Sequence, residues 1–223
     1  MKKYAIIVAG GTGSRMKTAI PKQFLLLSGT PVLLHCLRAF ILADPETELI
    51  VALPSRYHED WKRIQAECGP VIQHMVVPGG ETRFHSVKNG LQAVGNAGLI
   101  AIHDAARPLI TVEFINRCFE SAAKNGNAVP VIPVSDSLRQ IDGKQSHPLD
   151  RSLIMSVQTP QVFESSQIKN AYSQAYHESF TDDATVVEHA GGKIFLVEGL
   201  PGNIKITSPI DLRIAETLLS PTG

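Results

Sequence analysis

The chain has 223 residues, 43% of them hydrophobic, and its 21 Lys and Arg balance 21 Asp and Glu to a formal net charge of zero. That length suffices for a sizeable core, and neutrality excludes a surface that gathers nucleic acid or an anionic membrane by bulk charge. Any anion site must therefore rest on local cations and backbone amides.

Residues 4–8, Tyr-Ala-Ile-Ile-Val, form an apolar run that reads as a buried strand. They lead into Ala9-Gly10-Gly11-Thr12-Gly13-Ser14-Arg15-Met16 and then Pro21-Lys22-Gln23. A glycine-rich turn with exposed N–H groups and two cations close behind has the chemistry of a phosphate cradle. Pro21 keeps Ile20 out of helix, which leaves Lys22 on an extended segment able to reach back.

Helical periodicity follows over residues 31–43, with Pro31 in the first turn. Further strands are expected at 48–53, 73–77, 98–103 and 128–134, alternating with helices at 58–68, 82–94 and 111–124. Thr111 reads as a helix cap and Gly126 as a stop. Pro130 and Pro133 argue against a central place for the whole of the last strand. Cys36, Cys68 and Cys118 each fall in a helical segment without CxxC spacing, as buried hydrophobes rather than disulfide or zinc ligands.

From 135 to 158 the pattern turns polar, with Asp142-Gly143 between two short alternating runs, a hairpin signal. This stretch cannot form its own core, so it is expected to project as an arm, either as a bare surface hairpin or packed on a second subunit. Helices follow at 165–178 and 182–190, the latter starting at Thr181. Strand-like runs at 193–197 and 203–207 and a helix at 209–219 close the chain. The whole reads as one domain over 1–223: an α/β fold with a mostly parallel, doubly wound, Rossmann-like sheet and a protruding β-hairpin arm. The opening apolar run is too short for a signal peptide and no stretch could span a membrane, so a cytoplasmic location is expected.

Ligands of such sheets bind beyond the carboxyl ends of strands. Three of those ends carry unusual residues: the Gly10 loop, Gly79-Gly80, and His103-Asp104-Ala105-Ala106-Arg107. A dinucleotide fingerprint fails, because Met16 stands where its third glycine belongs and the second strand ends Leu53-Pro54-Ser55 without an acid. A Walker loop fails as well, since no Gly-Lys-Ser/Thr closes the turn. What remains for Arg15 and Lys22 is either a phosphate site or the common fate of solvated surface cations.

The A-G-G-T-G-S-R-M and P-K-Q pair resembles the signature of sugar-phosphate nucleotidyltransferases. With Pro78-Gly79-Gly80-Glu81-Thr82-Arg83 and Ser86, His103 to Pro108, Asp150-Arg151, Gln158-Thr159-Pro160-Gln161, Thr181-Asp182 and Asn203-Ile204-Lys205-Ile206-Thr207, the order is similar to the methylerythritol-phosphate cytidylyltransferase family over essentially the whole chain. Ribitol-phosphate cytidylyltransferases share the glycine loop, P-K-Q and the N-I-K-T-type ending but tend to carry H-D-S-V-R-P, so Ala105-Ala106 favours the first family. A non-catalytic nucleotide-binding module on the same fold is the remaining alternative.

The resemblance implies that Ala9, Gly10, Gly11 and Gly13 wrap the phosphates of CTP while Arg15 and Lys22 stabilise the transition state. It places Gly80, Glu81 and Ser86 at the cytosine and Asp104 and Ala105 at the nucleotide, with Asp104 a candidate for a ribose hydroxyl or for Mg²⁺ held chiefly by CTP. Glu81 stands where relatives can have Asp, a harmless change only if the main chain makes the contact. Arg83 reads as structural support near the base, and His103 as a packed strand residue. The sugar phosphate would be held by Lys205, Thr207, Thr181, Ser137 and Arg151, where Ser137 replaces a common Thr and Arg151 reaches a partner's site across a homodimer.

Overall fold

The computed structural model describes residues 1–11 and 20–220. Strand β1 (Lys2–Val8) starts two residues before its apolar run, with the Lys2 and Lys3 ammonium groups turned out to Glu48 (3.0 Å) and Asp44 (2.9 Å). A small antiparallel pair, β2 (Leu26–Leu27) and β3 (Thr30–Pro31), precedes α1 (Val32–Ala43), so Pro31 stands just before the helix rather than within it. Next come β4 (Glu48–Leu53), α2 (His58–Glu67), β5 (Met75–Pro78), α3 (Arg83–Gln92), β6 (Gly98–Asp104) and α4 (Val112–Asn125). Thr111 caps α4 by accepting from Phe114 N (3.2 Å), and Gly126 ends it at φ +85°, as the sequence predicts.

After β7 (Asn127–Pro133) the chain departs into a hairpin of β8 (Leu138–Asp142) and β9 (Gln145–Leu149), which pair only with each other and are almost wholly exposed. It returns as β10 (Met155–Val157) and β11 (Gln161–Glu164), and continues through α5 (Ser165–Ala171), α6 (Asp183–His189), β12 (Leu196–Glu198) and α7 (Pro209–Leu219). The main sheet has the order β10-β7-β11-β6-β1-β4-β5, with β12 also paired to β7. Pairs from β6 to β5 are parallel, whereas β10 and β11 run antiparallel to their neighbours.

Alternation along β1 sends Ala5 and Ile7 to one face and Tyr4 and Ile6 to the other. On the first face they meet Leu33, Leu37 and Phe40 of α1 and Phe114 and Phe119 of α4. On the second they meet Phe84, Val87 and Leu91 of α3, Ile168 of α5 and Val186 and Val187 of α6. Helices thus cover both faces, which is the doubly wound arrangement expected. No helix among the described residues is long and apolar enough to cross a membrane.

Several expectations need correcting. Strands β10 and β11 were not legible, and β10 belongs to the sheet, so the projecting hairpin ends before Met155 rather than at 158. The helix from 165 stops at Ala171, where Gln174 Nε2 donates to the Ala171 and Val186 carbonyls and Tyr172 turns inward to Asp183 (2.6 Å). Asp182, not Thr181, starts α6 by accepting from Thr185 N (2.9 Å). Residues 203–207 form no strand and are tied instead by single bonds such as Ile206 N to Ala106 O (2.8 Å). In β7, residues 129–131 have β12 on one side, and Gln158 N donates to Pro130 O (2.8 Å) on the other. Pro130 is tolerated inside the sheet because it faces the break between β10 and β11, where no regular ladder runs. Cys36 and Cys118 are buried, while Cys68 is half-buried at the end of α2.

Candidate active site

The chain passes from β1 outward to β4 and β5, then returns to place β6 on the other side of β1. That reversal opens a crevice beyond the carboxyl ends of β1 and β6. One cavity there is lined by Ala9, Gly10 and Gly11 after β1, Lys22 and Gln23, Gly80 to Arg83 with Ser86, Asp104 to Ala106 after β6, and Lys205. Nine of the residues expected around the nucleotide, and Lys205 expected at the sugar phosphate, therefore share one space.

At the glycine loop, a Cβ on Gly11 would stand 3.0 Å from Lys22 Cε and 3.6 Å from Nζ, so the missing side chain is what lets the ammonium lie over the backbone. The residues after Lys22 hold it there. Gln23, 2% exposed, donates from Nε2 to Ala9 O (2.9 Å), and the Phe24 ring stacks on Trp61 at 5.9 Å with 3° between planes. Gly13 and Arg15 lie outside the described residues.

The opposite wall is the turn into α3. Ser86 Oγ accepts from Gly80 N (3.0 Å) and donates to Thr82 O (3.0 Å), which leaves its second lone pair for a ligand donor. A Cβ on Gly80 would lie 2.8 Å from the His85 carbonyl carbon and 3.0 Å from Ser86 N, so only glycine fits. Gly10 faces the same serine, with 3.2 Å between an added Cβ and Ser86 Oγ.

Charge in the cleft is arranged as a chain. Tyr172 OH donates to Asp183 Oδ1 (2.6 Å), and Arg83 meets Asp183 through both terminal nitrogens (2.9 and 2.7 Å). Arg83 Nε then reaches Asp104 Oδ1 (3.1 Å), and Lys205 Nζ takes Asp104 Oδ2 (2.7 Å). Burial alone would raise the Asp104 pKa, but the Arg83 guanidinium and the Lys205 ammonium override it and hold the carboxyl well below the usual carboxylate range. Burial likewise disfavours the Arg83 cation, and Asp183 and Asp104 overcome that, so its pKa is raised. The four charged side chains form a neutral set of two cations and two anions.

Beneath Asp104 the proton positions can be assigned. Arg107 O can only accept, so His103 Nε2–H donates to it (3.0 Å), Nδ1 of the neutral ring accepts from Thr159 Oγ1 (3.1 Å), and that hydroxyl accepts from Asp104 N (3.0 Å). Burial pushes the His103 pKa down to about 4, in keeping with this neutral form and with its reading as a packed strand residue.

Four expected residues do not line the cavity. Ser137 is exposed ahead of β8, and Arg151 is exposed in a short turn where it donates to Ser135 O. Thr181 is exposed before α6, and Thr207 donates from both N and Oγ1 to Asp211 Oδ2 (2.8 Å each) at the start of α7. Sequence reasoning assigned no part to Gln23, Thr159 or Asp183. Gln23 and Thr159 sit in motifs that were visible, P-K-Q and Q-T-P-Q, and Asp183 directly follows Thr181-Asp182, but a buried polar residue carries no periodic signal of its own.

Residues 4–221 match the family model described as IspD: 2-C-methyl-D-erythritol 4-phosphate cytidylyltransferase. Proteins of that name from Bacteroides thetaiotaomicron and Porphyromonas gingivalis are 47% and 44% identical over 219 and 220 residues, covering 98% of this chain and 100% and 98% of theirs. The crystal structure of the Thermus thermophilus enzyme of that name superposes with a TM-score of 0.78 at 32% identity, covering 98% of both chains. That of the Francisella tularensis enzyme gives 0.81 at 28% identity, covering 98% of this chain and 100% of the other. With its glycine loop, lysine and aspartate gathered at the β1–β6 crevice, the chain belongs to the 2-C-methyl-D-erythritol 4-phosphate cytidylyltransferase family.

Proposed function

We propose that the chain joins CTP to 2-C-methyl-D-erythritol 4-phosphate, giving 4-diphosphocytidyl-2-C-methyl-D-erythritol and pyrophosphate in the non-mevalonate route to isoprenoid precursors. The observation that carries this reading is the convergence of Gly10-Gly11, Lys22, Gly80, Ser86, Asp104 and Lys205 on one cavity. A phosphate oxygen of the sugar phosphate attacks the α-phosphorus of CTP, and pyrophosphate leaves in line. That nucleophile is already an anion, so no general base is required. The obstacle is repulsion between anions and charge growing on the bridging oxygen, which fixed cations and backbone amides relieve.

In this reading Ala9, Gly10, Gly11 and Gly13 present amides to the triphosphate, and Lys22 and Arg15 stabilise the transition state. Ser86 offers its spare lone pair, and Gly80 and Glu81 their main chain, to the cytosine edge. Lys205 exchanges Asp104 for the incoming phosphate, which frees one Asp104 oxygen for a ribose hydroxyl or a cation. Asp104, a hard oxygen donor lining the cavity, suits a magnesium ion held chiefly by the triphosphate. When bound, it would neutralise charge on the triphosphate.

Arg151, Ser137, Thr181 and Thr207 are proposed to complete the sugar-phosphate pocket, Arg151 and Ser137 from a partner subunit. Exposed apolar residues on and beside the hairpin, Ile141 (70%) and Leu153 (83%) among them, support its burial in a homodimer. The test is pyrophosphate release with CTP and each polyol phosphate. Turnover with methylerythritol phosphate and far less with ribitol 5-phosphate is expected, and the reverse preference would replace this reading by the ribitol one.

A further inference from the structure

The Gln158-Thr159-Pro160-Gln161 stretch has no part in the reaction as described, yet it is buried throughout, with Gln158 3%, Thr159 5% and Gln161 0% exposed. It leads from β10 into β11, and its side chains hold the backbone of three separate segments at or behind the cleft. Thr159 Oγ1 accepts from Asp104 N (3.0 Å). Gln158 brackets Leu200, accepting from its N (3.0 Å) and donating to its carbonyl (3.0 Å), while Asn203 Nδ2 donates to Thr159 O (2.8 Å), two residues before Lys205. Gln161 spans the start of α6, donating to Asp182 Oδ2 (2.8 Å) and accepting from Ala184 N (2.9 Å), on either side of the Asp183 that holds Arg83.

We propose that this stretch is the clamp that fixes Asp104 and Lys205 relative to each other, with Thr159 the positioning residue for Asp104 and Gln158 that for the Lys205 segment. β11 pairs with β6 only as far as Ile102. Beyond that point the β6 backbone has no ladder on this side, and the Asp104 N–H would be a buried orphan without the Thr159 hydroxyl. The same hydroxyl bonds His103 Nδ1, and His103 Nε2–H donates to Arg107 O, so one side chain is linked to the backbone on both sides of the ligand-facing Asp104-Ala105-Ala106 turn. Gln158 acts likewise on the 200–205 turn. A clamp is required here because residues 203–207 have no secondary structure to set where Lys205 stands.

This inference rests on the cytidylyl-transfer reading, and the experiment separates the two. Wild type, Thr159→Val, Thr159→Ser and Gln158→Met are compared in thermal midpoint, in kcat and KM with CTP and methylerythritol phosphate, and in CTP affinity by calorimetry without the second substrate. Thr159→Val should lower kcat by about tenfold or more and weaken CTP binding by about fivefold, since misplacing a site group by a fraction of an ångström costs that much. Thr159→Ser keeps the hydroxyl but loses a buried methyl, so its midpoint falls while kcat and CTP affinity stay within about twofold of wild type. Gln158→Met should raise the KM for methylerythritol phosphate by about fivefold with CTP affinity nearly unchanged.

The clamp is overturned if Thr159→Val matches wild type, or if activity follows thermal midpoint across the threonine pair. If Thr159→Val does not fold, an unchanged sugar-phosphate KM in Gln158→Met overturns it. Wild type without turnover would overturn the reaction, while the calorimetric contrast between Val and Ser at position 159 would still decide the clamp.

Discussion

Replacing Asp183 by Asn leaves a side chain of nearly the same shape and removes one charge from the set that fixes Arg83. Asp183 is 0% exposed and takes both terminal nitrogens of Arg83 and the Tyr172 hydroxyl. Breaking one partner of such a buried pair costs about 3–5 kcal/mol. The lower figure applies, because Arg83 keeps Asp104 at 3.1 Å and a quarter of its side-chain exposure to water. About 3 kcal/mol is a large share of a typical stability of about 5–15 kcal/mol, and corresponds to a fall of about 6–12 °C in midpoint for a chain of this size.

Urea unfolding of wild type, Arg83→Met, Asp183→Asn and the double variant measures the pair directly. Each single change strands a partner, so each should be costly. The double leaves no unpaired charge at position 183, although Asp104 Oδ1 still loses its partner, and should be less destabilised than the sum by at least about 2 kcal/mol. Activity should not follow this recovery, because the double variant still leaves Asp104 Oδ1 without its guanidinium. Additive losses, or a single-variant cost below about 1 kcal/mol, would show that the charge relay is not what holds Arg83.

Lys22→Ala should lower kcat by on the order of a hundredfold while CTP affinity changes far less, if its ammonium acts, as proposed, on charge that develops during transfer. Equal losses in both would assign it to ground-state binding. Gly80→Ala should weaken CTP binding by about tenfold, since its Cβ meets backbone rather than a yielding side chain, and unchanged affinity would remove this turn from the site. Trp61 is the sole tryptophan, and its indole N–H donates to His74 Nε2 (2.8 Å) while His74 Nδ1–H donates to Ile72 O (2.7 Å). Burial lowers the His74 pKa below 6.5, so this contribution to stability is present above the ordinary value and is lost as pH falls through the lowered one. Trp61 fluorescence should change with a midpoint below 6.5 and stop doing so in His74→Gln, and a midpoint at or above 6.5 would refute the tautomer.

The parallel half of the fold was legible because its strands are short apolar runs closed by glycine, proline or aspartate. Residues 48–53 and 209–219 emerge with the bounds their patterns imply. β11 escaped because four residues flanked by Thr159-Pro160 and a helix carry no period, and its membership depends on partners about 60 residues away. Lys205 could be suspected only from the motif around it. What brings it to Asp104 is a set of long-range contacts, among them the bonds from Ile206 N to Ala106 O and from Asn203 Nδ2 to Thr159 O and the burial of Ile206 against Leu27, Val32 and Ala215, none of which has a local signature. The same holds for Asp183, whose partner Arg83 is a hundred residues earlier.

The position of β11 between β6 and β7 also bears on how the molecule is made. α4 carries the chain from β6 to β7, and the usual result of such a crossover is two adjacent parallel strands. Here they must stand apart by an extra strand spacing, about 10 Å instead of about 5 Å, and the segment that fills the slot is synthesised some 30 residues after β7 ends. All seven residues of β6 are buried in the finished protein, so until residues 161–164 emerge from the ribosome its apolar edge stands open. A nascent chain ending at the hairpin is therefore both tempted by a direct β6–β7 pairing and prone to associate through that edge. Filling that slot requires an insertion between two strands already made rather than an addition at the rim of the sheet.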